Sequence, residues 1–92
     1  MAKALIDEIQ EIRKKTAKAI DGKGEFPRKI RVADSRGLSK TLKHLGKDLG
    51  NTPMFNRVEQ IIDNLCKELE NGDNSVDMMK IRNLCDTAIR SL

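Results

Sequence analysis

Apolar residues recur along this chain at helical spacing in four blocks, each closed by glycine, proline or a short polar run. The first block covers residues 2–20. Leu5, Ile9, Ile12, Thr16 and Ala19/Ile20 follow steps of four and three, and Ala2 and Ile6 widen the same face. Asp7, Glu8 and Glu11 come early and Arg13, Lys14, Lys15 and Lys18 late, the order a helix dipole favours. Glu11 is also placed one turn before Lys15 and is expected to pair with it.

Asp21-Gly22-Lys23-Gly24 stops this helix, since two glycines supply the positive-φ geometry of a cap and turn. Pro27 then disfavours helix around it. Lys29-Ile30-Arg31-Val32-Ala33 alternates basic and apolar residues and reads as a short strand, with 23–27 as the other arm of a hairpin, or else as an extended loop. A second helix is expected from about 36 to 48, capped by Asp34 or Ser35 and striped by Leu38, Leu42, Leu45 and Leu49. Gly37 and Gly46 weaken it by about 1 kcal/mol each relative to alanine, so packing must hold it. Gly50-Asn51 ends it.

Thr52-Pro53 opens the third helix, because threonine caps well and proline at the first helical position lacks only an N–H that has no partner there. Met54/Phe55, Val58, Ile61/Ile62, Leu65 and Leu69 form its apolar face, and Asn71-Gly72 terminates it. Asp73, Asn74 or Ser75 is expected to cap a fourth helix running to the C-terminus, with Met78, Ile81, Cys85, Ala88/Ile89 and Leu92 inward. The short connection makes helices three and four antiparallel neighbours. The expected fold is mainly α: one domain over residues 1–92, a small bundle of about four helices with a loop or short β-hairpin over residues 21–35.

Composition narrows the function classes. No apolar run approaches the roughly 20 residues that cross a bilayer, and acids appear at once after Met1, which argues against a signal peptide. A cytoplasmic protein without a membrane partner is expected. Phe26 and Phe55 are the only aromatic residues, so the chain lacks the exposed rings on which single-strand modules stack bases. Cys66 and Cys85 form no Cys-x-x-Cys pair and are expected as buried, reduced thiols.

Charge is distributed unevenly. Residues 1–50 hold 13 Lys/Arg against 7 Asp/Glu, residues 51–92 hold 5 against 7, and within 13–47 the ratio is 12 to 3. Arg36, Lys40, Lys43 and Lys47 repeat at steps of four, three and four. They share a face roughly 200° from the leucine stripe, hence solvent. Arg13, Lys14, Lys15, Lys18, Lys23, Arg28, Lys29 and Arg31 are candidates to extend the patch. Such a surface suits nucleic-acid phosphates or an acidic protein face, because each neutralised phosphate releases a counterion.

Other constellations are thin. Gly50-Asn51 followed by residues 53–69 imitates a helix-turn-helix, but the would-be reading helix has only Arg57 and Lys67 against Glu59, Asp63 and Glu68. One histidine, His44, and two separated cysteines do not make a zinc set. Asp73-Asn74-Ser75-Val76-Asp77 lacks the glycine and glutamate of a calcium loop. Gly22-Lys23-Gly24 lacks the phosphate-loop spacing, and no nucleophile sits beside a base. No cofactor, no metal and no enzymatic activity are expected.

In size, in its basic stretch 13–47 and in its want of catalytic motifs, the chain resembles the small inhibitors that phages direct against bacterial defence, including anti-CRISPR proteins. The resemblance implies a binding protein that docks on a nucleic acid or nucleoprotein complex, such as a CRISPR surveillance complex, and blocks its nucleic-acid path. The residues leave a second class open: a helical protein–protein adaptor or homodimer without nucleic-acid contact. Salt dependence separates the two.

Overall fold

The computed structural model describes residues 3–72 and 77–92. These residues form four helices: α1 Lys3–Ile20, α2 Arg28–Leu49, α3 Pro53–Leu69 and α4 Met78–Ser91. Each packs on two neighbours, in the cycle α1–α2–α3–α4–α1, and no Cα atoms of the diagonal pairs come within 8 Å of each other. Consecutive helices reverse direction, giving a bundle 40 Å long and 21 by 16 Å across. Among the described residues there is no strand, and no helix is long and apolar enough to cross a membrane.

The core follows the periodic stripes. Leu5, Ile9, Ile12 and Thr16 of α1 meet Leu38, Leu42 and Leu45 of α2, Val58, Ile62, Leu65 and Leu69 of α3, and Ile81, Cys85 and Ala88 of α4. Thr16 is tolerated inside because its hydroxyl donates to the Ile12 carbonyl at 2.7 Å. Caps also follow the sequence. The Gly22 and Gly50 backbones take positive φ, and the Thr52 hydroxyl accepts from the Phe55 N–H at 3.1 Å with Pro53 in the first turn. At α4 the cap is Asp77, which accepts from the Met79 and Lys80 N–H groups. The expected caps Asp73, Asn74 and Ser75 lie outside the described residues.

The departure from expectation is α2, which begins eight residues early. Residues 29–33 are helix, neither strand nor loop. Pro27 starts this helix: its carbonyl accepts from the N–H groups of Ile30 and Arg31, both at 3.0 Å. The buried stripe of α2 is Arg31, Ser35, Leu38, Leu42 and Leu45, with steps of four, three, four and three. Its first two members are polar, so the helical period is masked by apparent alternation. Asp34 and Ser35 are therefore interior residues instead of caps. Ser35 is buried, and the Asp34 carboxylate holds Lys15 Nζ at 2.9 Å.

Arg31 explains why the helix extends this far. It is 1% exposed. Its Nε donates to the Phe26 carbonyl at 3.0 Å, and one terminal nitrogen donates to the carbonyls of Leu69 and Asn71 at 2.8 and 2.9 Å. These last two are at and just beyond the end of α3, where carbonyls have no intrahelical partner. A helix C-terminus also carries partial negative charge, which favours a cation there. Burying a guanidinium is unfavourable unless its donors are matched, and here the fork reaches carbonyls on both sides of the α2–α3 seam. Phe26 is itself buried, with Lys15 Nζ 5.9 Å from its ring centre.

Two predictions follow from this packing. Arg31→Ala should destabilise the bundle by about 3 kcal/mol or more, since it strands buried carbonyls, whereas Arg36→Ala should change stability by no more than about 0.5 kcal/mol. Arg31→Lys should not rescue, because one ammonium lacks the planar fork. Urea unfolding of the three variants checks this, and equal midpoints for Arg31→Ala and Arg36→Ala would contradict it. A Cβ at Gly37 meets nothing within 4 Å, while one at Gly46 lies 2.8 Å from Phe55 Cζ. Gly37→Ala should therefore gain about 1 kcal/mol, raising the melting temperature by about 4–8 °C. Gly46→Ala should not gain, and a matching rise at Gly46 would show that the Phe55 ring yields freely.

Candidate nucleic-acid interface

The early start of α2 changes which basic residues stand together. At 100° per residue, Lys29, Arg36, Lys40, Lys43 and Lys47 fall within about 60° of arc, on the side opposite the leucine stripe, and extend over about 27 Å of helix axis. All five are exposed. Lys29 joins this row only because residues 28–33 are helical. The acids of α2, Asp34 and Asp48, lie about 100–140° away around the helix. Among the described residues, no carboxylate comes within ion-pair distance of any of the five.

The other expected site residues are placed differently. Arg31, expected on the candidate surface, is instead buried against α3 and cannot form part of it. Arg13 is ion-paired to Asp86 of α4. Lys15 pairs with Asp34, not with Glu11 as the spacing suggested, and Glu11 instead has Lys14 at 3.4 Å. Arg28 donates to the Glu70 carbonyl at 3.3 Å. Lys18 and Lys23 are exposed, at the end of α1 and in the turn after it.

Between α2 and α3 runs an open groove of about 470 Å³, bordered on the α2 side by Arg36, Lys40 and Lys43. The opposite wall carries Lys67 with Asp63 and Glu70, and the floor is Ser35, Ser39 and Cys66. Lys67 lines this groove although the sequence did not single it out, since nothing in its own helix sets it apart. It enters because α3 lies beside α2. The Cys66 thiol donates to the Ser35 carbonyl at 3.6 Å and lies 4.0 Å from the Ser39 hydroxyl. Among the described residues no three His, Cys, Asp or Glu side chains cluster to hold a metal ion.

Both cysteines are free and buried. Burial pushes the Cys66 thiol up, against hydrogen bonding from Ser35 and Ser39. Burial pushes Cys85 up to about 12, with the nearby Asp86 charge adding to it. Neither therefore has the lowered pKa of a reactive thiol. Comparison of the chain with protein-family models, with curated proteins and with solved structures found no match.

A thiol whose pKa rises on folding stabilises the fold below the unfolded pKa. That stability is lost as pH climbs through the folded value, because the unfolded chain ionises first. For Cys85 the window runs from 9.0 to about 12. Cys85→Ala should start less stable, through its cavity, yet lose less stability than the parent between about pH 9 and pH 11. Chemical unfolding at a series of pH values checks this, and parallel pH profiles would contradict it. At pH 8 both native thiols should react slowly with a maleimide, Cys85 more slowly than Cys66.

Proposed function

We propose that this chain is a non-enzymatic binding protein that docks the exposed basic face of α2 on nucleic acid or on a nucleoprotein complex. In its more specific form, the chain is a phage-type inhibitor that covers the nucleic-acid path of a CRISPR surveillance complex. The observation that carries the reading is the row of five exposed cations on one helix face, none of them ion-paired among the described residues. Elsewhere Arg13 is matched with Asp86, Lys15 with Asp34 and Lys80 with Glu68, and other exposed cations such as Lys3, Lys18, Arg57 and Arg90 are scattered over several elements instead of aligned on one helix face. A solvated face kept only for solubility has no need of such single-sign charge. Mixed signs serve solubility as well and avoid self-repulsion.

The test is charge reversal. Lys40, Lys43 and Lys47 changed together to Glu should abolish retention of nucleic acid in a mobility-shift assay with pooled DNA and RNA. The melting temperature should hold, because the three side chains are exposed. The matched control reverses Lys3, Arg57 and Arg90, which are exposed on the other helices and change net charge equally. It should bind nearly as the parent does. Equal losses in the two variants would mean that net charge alone matters. No retention by the parent protein would reject the reading and favour a protein partner.

A further inference from the structure

We infer that the α2 row tracks the phosphates of a nucleic-acid duplex, about five of them, without reading the bases. This rests on the nucleic-acid reading above and goes beyond it in naming the form of the ligand and the mode of contact. The first ground is geometric. Lys29, Arg36, Lys40, Lys43 and Lys47 form a straight line of charge about 27 Å long on a single rigid helix. A duplex offers a matching line, with one negative charge per roughly 1.7 Å of its axis, twice the density of a single strand in the same geometry.

The second ground is what the face lacks. Binding of single strands relies on aromatic rings that take unstacked bases. Here Phe26 is 4% exposed, and Phe55 is half-buried against Gly46. The residues between the five cations are Val32, Ala33 and His44, and α2 contains no Asn or Gln to engage adenine. Contacts to phosphate fix position without carrying sequence information. An acidic protein fits the face less well, since protein interfaces close around an apolar centre. The large exposed apolar side chains lie off the row: Ile30 about a quarter-turn away on α2, Met54 on α3 and Met79 on α4.

The experiment is fluorescence anisotropy with a labelled 24-base-pair DNA duplex, a second duplex of unrelated sequence, an RNA duplex and a 24-nucleotide single strand, from 50 to 200 mM salt. Five phosphate contacts give a log–log slope near −4.5, so affinity for a DNA duplex should fall roughly 500-fold across that range. The two DNA duplexes should bind within about threefold of each other, and the single strand more weakly. Lys29→Gln and Lys43→Gln should each reduce the fall to roughly 150-fold, the value for four contacts. Lys18→Gln, off the row, should leave it unchanged. Tighter binding of the single strand, a strong preference between the two duplexes, or an unchanged slope in Lys29→Gln would each overturn the inference while leaving the broader reading standing. Absence of binding to every one of the four probes would overturn both.

Discussion

The buried guanidinium of Arg31 sets the geometry on which the rest of the molecule depends. An arginine held away from water must find acceptors for its fork, and the carbonyls of Phe26, Leu69 and Asn71 are among them. Meeting that demand fixes three things together. Residues 28–33 become helix, α2 is seated against the C-terminal end of α3, and the rotation of α2 about its own axis is determined. With Arg31 turned inward beside Leu38, Leu42 and Leu45, the row from Lys29 to Lys47 can only face out. Buried ion-like contacts often add little net stability compared with apolar packing. Here the residue specifies arrangement, and the leucines, isoleucines and valine provide most of the favourable burial.

How far the sequence discloses this depends on which residues occupy buried positions. Helices α1, α3 and α4 were legible because their inward faces are largely Leu, Ile, Val, Met and Cys, and the caps at Gly22, Gly50 and Thr52 are residues with one dominant use. The first half of α2 was not, because Arg31 and Ser35 fill positions where a period search looks for apolar side chains. Glu68 was misleading for the same reason: it reads as an exposed acid on α3 but is 7% exposed and pairs with Lys80. The site was half legible. Arg36, Lys40, Lys43 and Lys47 declare themselves through steps of four and three. That Arg13 is matched by Asp86, 73 residues on, has no local signal, and Lys67 joins the groove only through the pairing of two helices.

Charge on the folded chain is sorted by partner. On the α1 side of α2, polar contacts are closed pairs: Lys15 with Asp34, and the Thr41 hydroxyl donating to Glu8 at 2.6 Å. On the far side the cations stand open beside the α2–α3 groove, with Asp63 and Glu70 on the opposite wall. One helix thus presents a neutralised flank to its neighbour and a single-sign flank to solvent. The same rotation that buries Arg31 separates these flanks, so the interior chemistry of the bundle and its exterior field have a common origin.

Three of the acceptors that hold Arg31, the carbonyls of Phe26, Leu69 and Asn71, belong to the main chain. A carbonyl oxygen is present whatever side chain its residue carries, so the Arg31 contact to residue 71 does not depend on the identity of that residue, nor does the Arg28 contact depend on that of residue 70. At these backbone contacts the dependence runs one way. Residues 69 and 71 can change side chain and still offer these oxygens, whereas position 31 must keep its guanidinium.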